Sequence, residues 1–311
     1  METSICAWAP WWSADDRRRF LSEVEGVVGA RFGEFELDEA AGTVTVSDLD
    51  CVLGLSNLAQ TCRLADAEDW RLLVYSHMTR LDDFAPEVLS ELLGDYERVK
   101  GDLRVRVVSH NHIEHIDPVG DPLPLGMFSC LSVALDGATM PVDRSHFDEW
   151  GEDQDEVMAA ALANTLAAEE VVAAEIDELK GRFTALSGDS LFTSALLLGP
   201  SEAMPDVGEM GAVVAVPTAR DLLVCPISAT EEFVDDSATM LAAGYVRFLA
   251  GPNSVSPNAL WWRPGEPLEA FVRLDSASFE LAAPPELRNY LQGVLDTGIG
   301  RSESRAEGLD I

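Results

Sequence analysis

Residues 110–115 read His-Asn-His-Ile-Glu-His, and residues 188–191 read Gly-Asp-Ser-Leu. The first stretch offers three imidazoles and a carboxylate, the nitrogen and oxygen donors that a divalent metal such as zinc takes. It follows RVRVVS, an apolar run with strand character. On extended backbone His110, His112 and Glu114 would share one face, with His115 reaching round a turn. The second stretch offers the Ser190 hydroxyl, a weak nucleophile until a neighbouring base takes its proton. Both chemistries need partners from elsewhere in the chain. A hydrolytic metal centre needs later ligands to complete its shell, and a serine nucleophile needs an imidazole. Only five histidines are present, and none follows His146. Each stretch is therefore half a site. The reading for HNHIEH is a solvated surface turn. For the second stretch it is a cap, with Asp189 and Ser190 accepting the free N–H groups of an apolar helix that begins at Leu191.

These elements must be positioned by the rest of the chain. Ser13 with Asp15 and Asp16 forms an N-cap with acids in the first turn, and Phe20, Leu21, Val24, Val27, Val28 and Phe32 make the apolar stripe of the helix that follows. FGEFELDEAAGTVTVSDL reads as a hairpin around Ala41-Gly42. Helices are expected at about 50–63, 66–79 and 85–94, then the strand RVRVVS. Three prolines and a glycine between Asp117 and Pro124 mark the best internal boundary. Beyond it come a strand pair turning at Asp136-Gly137 and a short helix with capping-box spacing at Ser145 and Asp148. A longer helix capped by Asp153 follows. Strands are expected at 170–176 and 181–186, a helix at 191–198, strands AVVAVP and DLLVCP, a helix at 229–249, strands LWW and EAFVRL, and an amphipathic helix at 285–295.

Composition limits the function. The 311 residues hold 55 acids against 21 bases, a formal charge of −34, and 47% are hydrophobic. Such a chain is globular, and its acidic surface repels nucleic acid phosphates and anionic lipid heads. No apolar run reaches the roughly 18 residues of a membrane span, and the start METSICAWAPWW lacks a basic-then-apolar signal, so a cytoplasmic protein is expected. The five cysteines are scattered and never form a CxxC pair, so they read as ordinary buried thiols. Trp8, Trp11 and Trp12 are expected to dock on the protein's own surface.

Three resemblances add to this. HNHIEH resembles the HxHxDH signature of the metallo-β-lactamase-like hydrolases, with His110, His112, Glu114 and His115 at the matching positions and a glutamate where the aspartate stands. Gly188-Asp189-Ser190-Leu191 spells the motif of the GDSL serine hydrolases, whose base comes from a DxxH near the C-terminus. The ordered succession LGMFSCLSVALDGATMPVDRSHFDEWG, DEVMAAALANTL, SGDSLFTSALLLGP, AVVAVPTARDLLVCP and SVSPNALWW is similar to the bacterial YtpQ-type family over about residues 50–270. That family shows a strand pair leading to a short helix ending in Trp-Gly, a Gly-Asp segment before an apolar helix, and a strand ending P-x-x-RD. Here Ser190 and Leu191 precede the Phe192 that the pattern would place directly after Gly-Asp. This last resemblance implies fold and kinship rather than a reaction, and it singles out Gly188, Asp189, Arg220 and Asp221 as binding candidates.

The expectation is an α+β protein with a mixed, largely antiparallel sheet packed with helices, in two lobes. These are an N-terminal lobe over 13–118, a C-terminal YtpQ-like lobe over 119–296, and a disordered tail over 297–311. The expected role is a binding or interaction protein with a protein partner, no cofactor and no catalytic residue. A metal-dependent hydrolase built on HNHIEH and a serine hydrolase built on Ser190 are the alternatives.

Overall fold

The computed structural model describes residues 8–9, 11–47, 51–79, 91–113, 116–135, 138–178, 181–199, 204–230, 232–274 and 279–293. The chain is α+β, and the strands described form three antiparallel sheets. It divides into two compact units whose main boundary falls between Val99 and Lys100.

In the first unit helix α1 (Ala14–Phe32) starts at Ser13, whose side chain accepts from the Asp16 N–H, and its whole apolar stripe is buried. Strands β1 (Phe35–Asp38), β2 (Thr43–Val46) and β3 (Cys51–Gly54) form a meander. Val44 and Val46 are the inward residues of β2, as alternation requires. Helices α2 (Ser56–Arg63) and α3 (Trp70–Thr79) complete this core. The N-terminal tryptophans dock within the unit. Trp12 stacks on Trp70 at 5.1 Å and meets Phe20 at 4.8 Å, while the Trp8 indole donates to the Glu39 carbonyl.

The second unit is built on a seven-stranded sheet. Its order is β14 (Phe279–Leu281), β13 (Glu269–Leu274), β12 (Ala259–Trp262), β10 (Ala212–Thr218), β11 (Asp221–Pro226), β9 (Gly181–Gly188) and β8 (Val171–Glu178). AVVAVPT, LLVC and ALWW are buried at nearly every position because both sheet faces are covered. One face carries Val213, Leu223, Cys225, Trp261 and Phe271, while the other carries Val214, Leu222, Val224 and Leu260. A sheet covered on both sides reads as continuous apolar runs rather than alternation. A helix at Glu232–Ala250 sits on the first face through Phe233 and Met240, and the helical residues 285–293 add Leu287. On the other face lies a 3-10 segment, Thr193–Leu198.

Strands β4 (Leu103–Ser109), β5 (Gly120–Leu123), β6 (Met127–Leu135) and β7 (Ala138–Pro141) make the remaining sheet. Three sequence expectations are corrected by these strands and the short helices beside them. The stretch 117–124 is no boundary: β4 pairs with β6 from Leu103↔Val133 to Ser109↔Met127, which places residues 100–118 in the second unit, and β5 is itself a strand. Gly120 stands there because its φ is +146° and an added Cβ would fall 1.8 Å from the Ser129 carbonyl oxygen. The short helix α5 (Arg144–Trp150) is capped by Asp143, which accepts from the Ser145 N–H, and not by Ser145. The helix expected at 191–198 is 3-10 rather than α. Helix α4 (Tyr96–Val99) precedes β4, and α6 (Gln154–Ala168) starts at its expected cap Asp153. The helix at Glu232–Ala250 is α7. The expected turn at Asp136-Gly137, most of the helix at 85–94 and the tail at 297–311 lie outside the described residues.

Candidate functional site

The backbone after β4 is not extended. His110–His112 form a 3-10 turn, in which successive side chains rotate by about 120°. His110 and His112 therefore do not share a face as they would on a strand. Both are exposed, and the His110 ring lies 6.2 Å from Phe128. Ile113 holds the turn down, buried with Val108 and Cys130 and flanked by Ile116 and Phe128. Glu114 and His115 lie outside the described residues, and no three His, Cys, Asp or Glu among the described residues are grouped to hold a metal.

At Gly188-Asp189-Ser190-Leu191 the glycine and the serine have local tasks. An added Cβ on Gly188 would meet Thr193 Oγ1 at 2.4 Å, so this position requires glycine for close approach. Ser190 Oγ accepts from the Phe192 N–H at 2.9 Å and donates to Glu169 Oε1 at 2.5 Å. Thr193 Oγ1 donates to the other oxygen of Glu169 at 3.0 Å. The hydroxyl proton thus goes to a carboxylate that also ties down Thr193. Ser190 does accept a free backbone N–H, but the 3-10 segment begins at Thr193 with Phe192 before it and no side-chain cap, and Asp189 is exposed, so the expected cap by Asp189 and Ser190 is corrected. Glu169, between α6 and β8, carries no spacing signal that would have paired it with Ser190.

The four binding candidates converge at one end of the sheet. The Gly188 N–H donates to the Arg220 carbonyl at 3.1 Å, and Asp221 lies opposite Ser187 in the β9–β11 register. The Asp221 carboxylate is fully engaged. Oδ1 accepts from Ser187 Oγ at 2.8 Å and Arg247 Nη1 at 2.8 Å, and Oδ2 accepts from Thr218 Oγ1 at 2.7 Å. Its ion-pair partner is Arg247 of α7, 26 residues away, while the Arg220 side chain points to solvent. This network locks a helix to a hairpin and leaves no carboxylate oxygen unbonded. The buried thiols are likewise inert: burial pushes Cys62 and Cys225 up to about 12 and raises Cys130. Thiolate, the reactive form, is then scarce near neutral pH.

A feature with open binding capacity in the second unit was not singled out in the sequence. A groove of about 560 Å³ runs between α7 and β13–β14, lined by Val234, Ala238, Leu241 and Tyr245 on the helix and by Phe279 and Leu281 on the strand. Three of these are conspicuous in water: Val234 is 45% exposed, Phe279 62% and Leu281 45%. The signal was present in α7. Phe233, Ser237, Met240 and Gly244 form the buried stripe, and the groove-lining set begins one residue later, about 100° round the helix. The helix carries more apolar face than its own core covers.

No family model, curated protein or solved structure matches this chain. Among the described residues no helix is long and apolar enough to cross a membrane.

Proposed function

We propose that this protein is a non-catalytic binding protein that takes a protein partner in the groove between α7 and β14. The observation that carries this reading is the exposed apolar set Val234, Phe279 and Leu281 beside a groove large enough for side chains. Contiguous apolar surface of this kind is costly in water and marks interaction sites. The committed hydrogen bonds of Ser190 and Asp221 weigh the same way against the serine hydrolase alternative. The charge of −34 argues against nucleic acid and anionic membranes as partners, and the reading places the protein in the cytoplasm. Kinship with the YtpQ-type family, resting on the ordered motifs over residues 50–270, is part of the same proposal. The metal-dependent hydrolase alternative rests on HNHIEH alone, and elemental analysis of tag-free protein tests it: stoichiometric zinc, iron or manganese would restore it.

The test uses the full chain and its Phe279→Asp/Leu281→Asp variant as baits. Both positions are exposed, so the variant should fold, as circular dichroism will show. A protein retained by the wild type, lost with the variant, and forming a defined complex by analytical ultracentrifugation is the expected result. Identical recovery on both baits would overturn the groove as the site.

A further inference from the structure

The manner of binding and the chemistry of the partner follow from the edge strand beside the groove, and this inference rests on the binding reading above. β14 ends the seven-stranded sheet among the described residues. Its register with β13 is Val272↔Leu281, Arg273↔Glu280 and Leu274↔Phe279, and the Ala282 N–H donates to the Phe271 carbonyl. In an antiparallel ladder the bonded and non-bonded pairs alternate. Glu280 therefore turns its N–H and C=O toward β13, while those of Phe279 and Leu281 face away from the sheet. The side chains of the same two residues line the groove. An open strand edge with a helix-walled apolar groove beside it is the arrangement that accepts an added strand: main-chain bonds hold the peptide, and alternate side chains fill the groove.

Charge selects the occupant. Glu232 and Asp235 stand exposed in the first turn of α7, with half-buried Asp236 beside them. Arg182 of β9 lies close enough to Glu232 to favour its charge, and Arg273 is paired with Glu280 at 3.5 Å on the opposite face of the strands from the groove, so the rim keeps an acidic excess. A second copy of this chain would bring its own net charge of −34 and the same acids to this rim, which disfavours self-pairing. We infer that the groove binds an extended peptide segment of alternating apolar residues flanked by lysine or arginine, added as a strand to β14.

The probe is a fluorescein-labelled peptide of alternating valine and threonine with paired lysines at both ends, titrated into the full chain and followed by anisotropy. Saturable binding is expected. It should weaken about tenfold when the lysines become glutamates, and about tenfold when alternate backbone nitrogens facing β14 are methylated. Val234→Lys and Phe279→Asp should each reduce it. Equal affinity for lysine and glutamate flanks would overturn the charge assignment, and indifference to methylation would overturn strand addition. In both cases a loss with Val234→Lys would leave the groove reading standing. No peptide binding, alongside a partner still lost from the Phe279→Asp/Leu281→Asp bait, would overturn the inference alone. No binding of any kind that depends on these residues would overturn both. A dimer by ultracentrifugation that Phe279→Asp converts to monomer would put a second copy in the groove and overturn the peptide assignment.

Discussion

The two ends of the seven-stranded sheet solve the same problem differently. β8 is an eight-residue edge paired along its whole length with β9, and it turns Val172 to solvent near its start and Glu175 and Asp177 near its end. β14 is three residues long, with Phe279 and Leu281 exposed beside an apolar groove. Unpaired edges invite other strands, and charged side chains on the edge are a common protection. The second half of the β8 edge is guarded in that way. At β14 the one acid, Glu280, projects from the opposite face to Phe279 and Leu281 and leaves the groove face apolar. Edge position alone does not make a docking site; an edge backed by unfilled apolar volume does.

The comparison can be broken at several points, the largest effect coming from the middle of the sheet. Leu223 of β11 is fully buried, and Leu223→Ala should cost about 3 kcal/mol in urea denaturation. It should also lower hydrogen-exchange protection toward both edges alike. Asp221→Ala removes three bonds and strands Arg247, at a cost of about 2 kcal/mol by thermal or urea melts. Because Arg247 belongs to α7, protection should fall more in that helix than in β8, and uniform loss would show that the network does not hold the helix.

The pH dependence of peptide binding sharpens the charge argument. The hydroxyl of Thr230, followed by a backbone N–H, holds Glu232 below the ordinary carboxylate range. A depressed carboxyl keeps its charge above that range and loses it only on further acidification. Affinity for the lysine-flanked peptide should therefore stay flat as the pH is lowered from neutral and fall only on acidification into and below the ordinary carboxylate range, measured by anisotropy. A fall centred near pH 6.5 would implicate histidine instead. The smallest effect on stability belongs to β8: Glu175→Val/Asp177→Val should change it by no more than about 0.5 kcal/mol. The same double variant removes the guard and should self-associate with rising concentration in light scattering. A monomeric variant would mean that the acids do not protect that edge.

Much of the fold was legible because burial on both faces leaves a plain mark: AVVAVP, DLLVCP and LWW are apolar runs bounded by turns, and all became central strands. Caps at Ser13 and Asp153 were equally readable, since an acceptor side chain just before an apolar stripe has one favoured use. The break at 117–124 was misread because Pro and Gly signal irregular backbone, and here they shape an edge strand whose tight approach to Ser129 demands Gly120. For the site, the sequence showed where chemistry was incomplete but not what completed the local structure. Glu169 reaches Ser190 across 21 residues, and Arg247 reaches Asp221 across 26. Neither pairing has a spacing rule, because tertiary packing sets it. The groove was hidden for a different reason: Val234, Leu241 and Tyr245 look like core residues until their partner strand is known to be short and exposed.

Amide hydrogen exchange on the full chain, with and without the lysine-flanked peptide, tests the central claim most directly. Strand addition predicts new protection at the Phe279 and Leu281 amides with no change along β8. Protection appearing along β8, or none at β14 at saturating peptide, would contradict it.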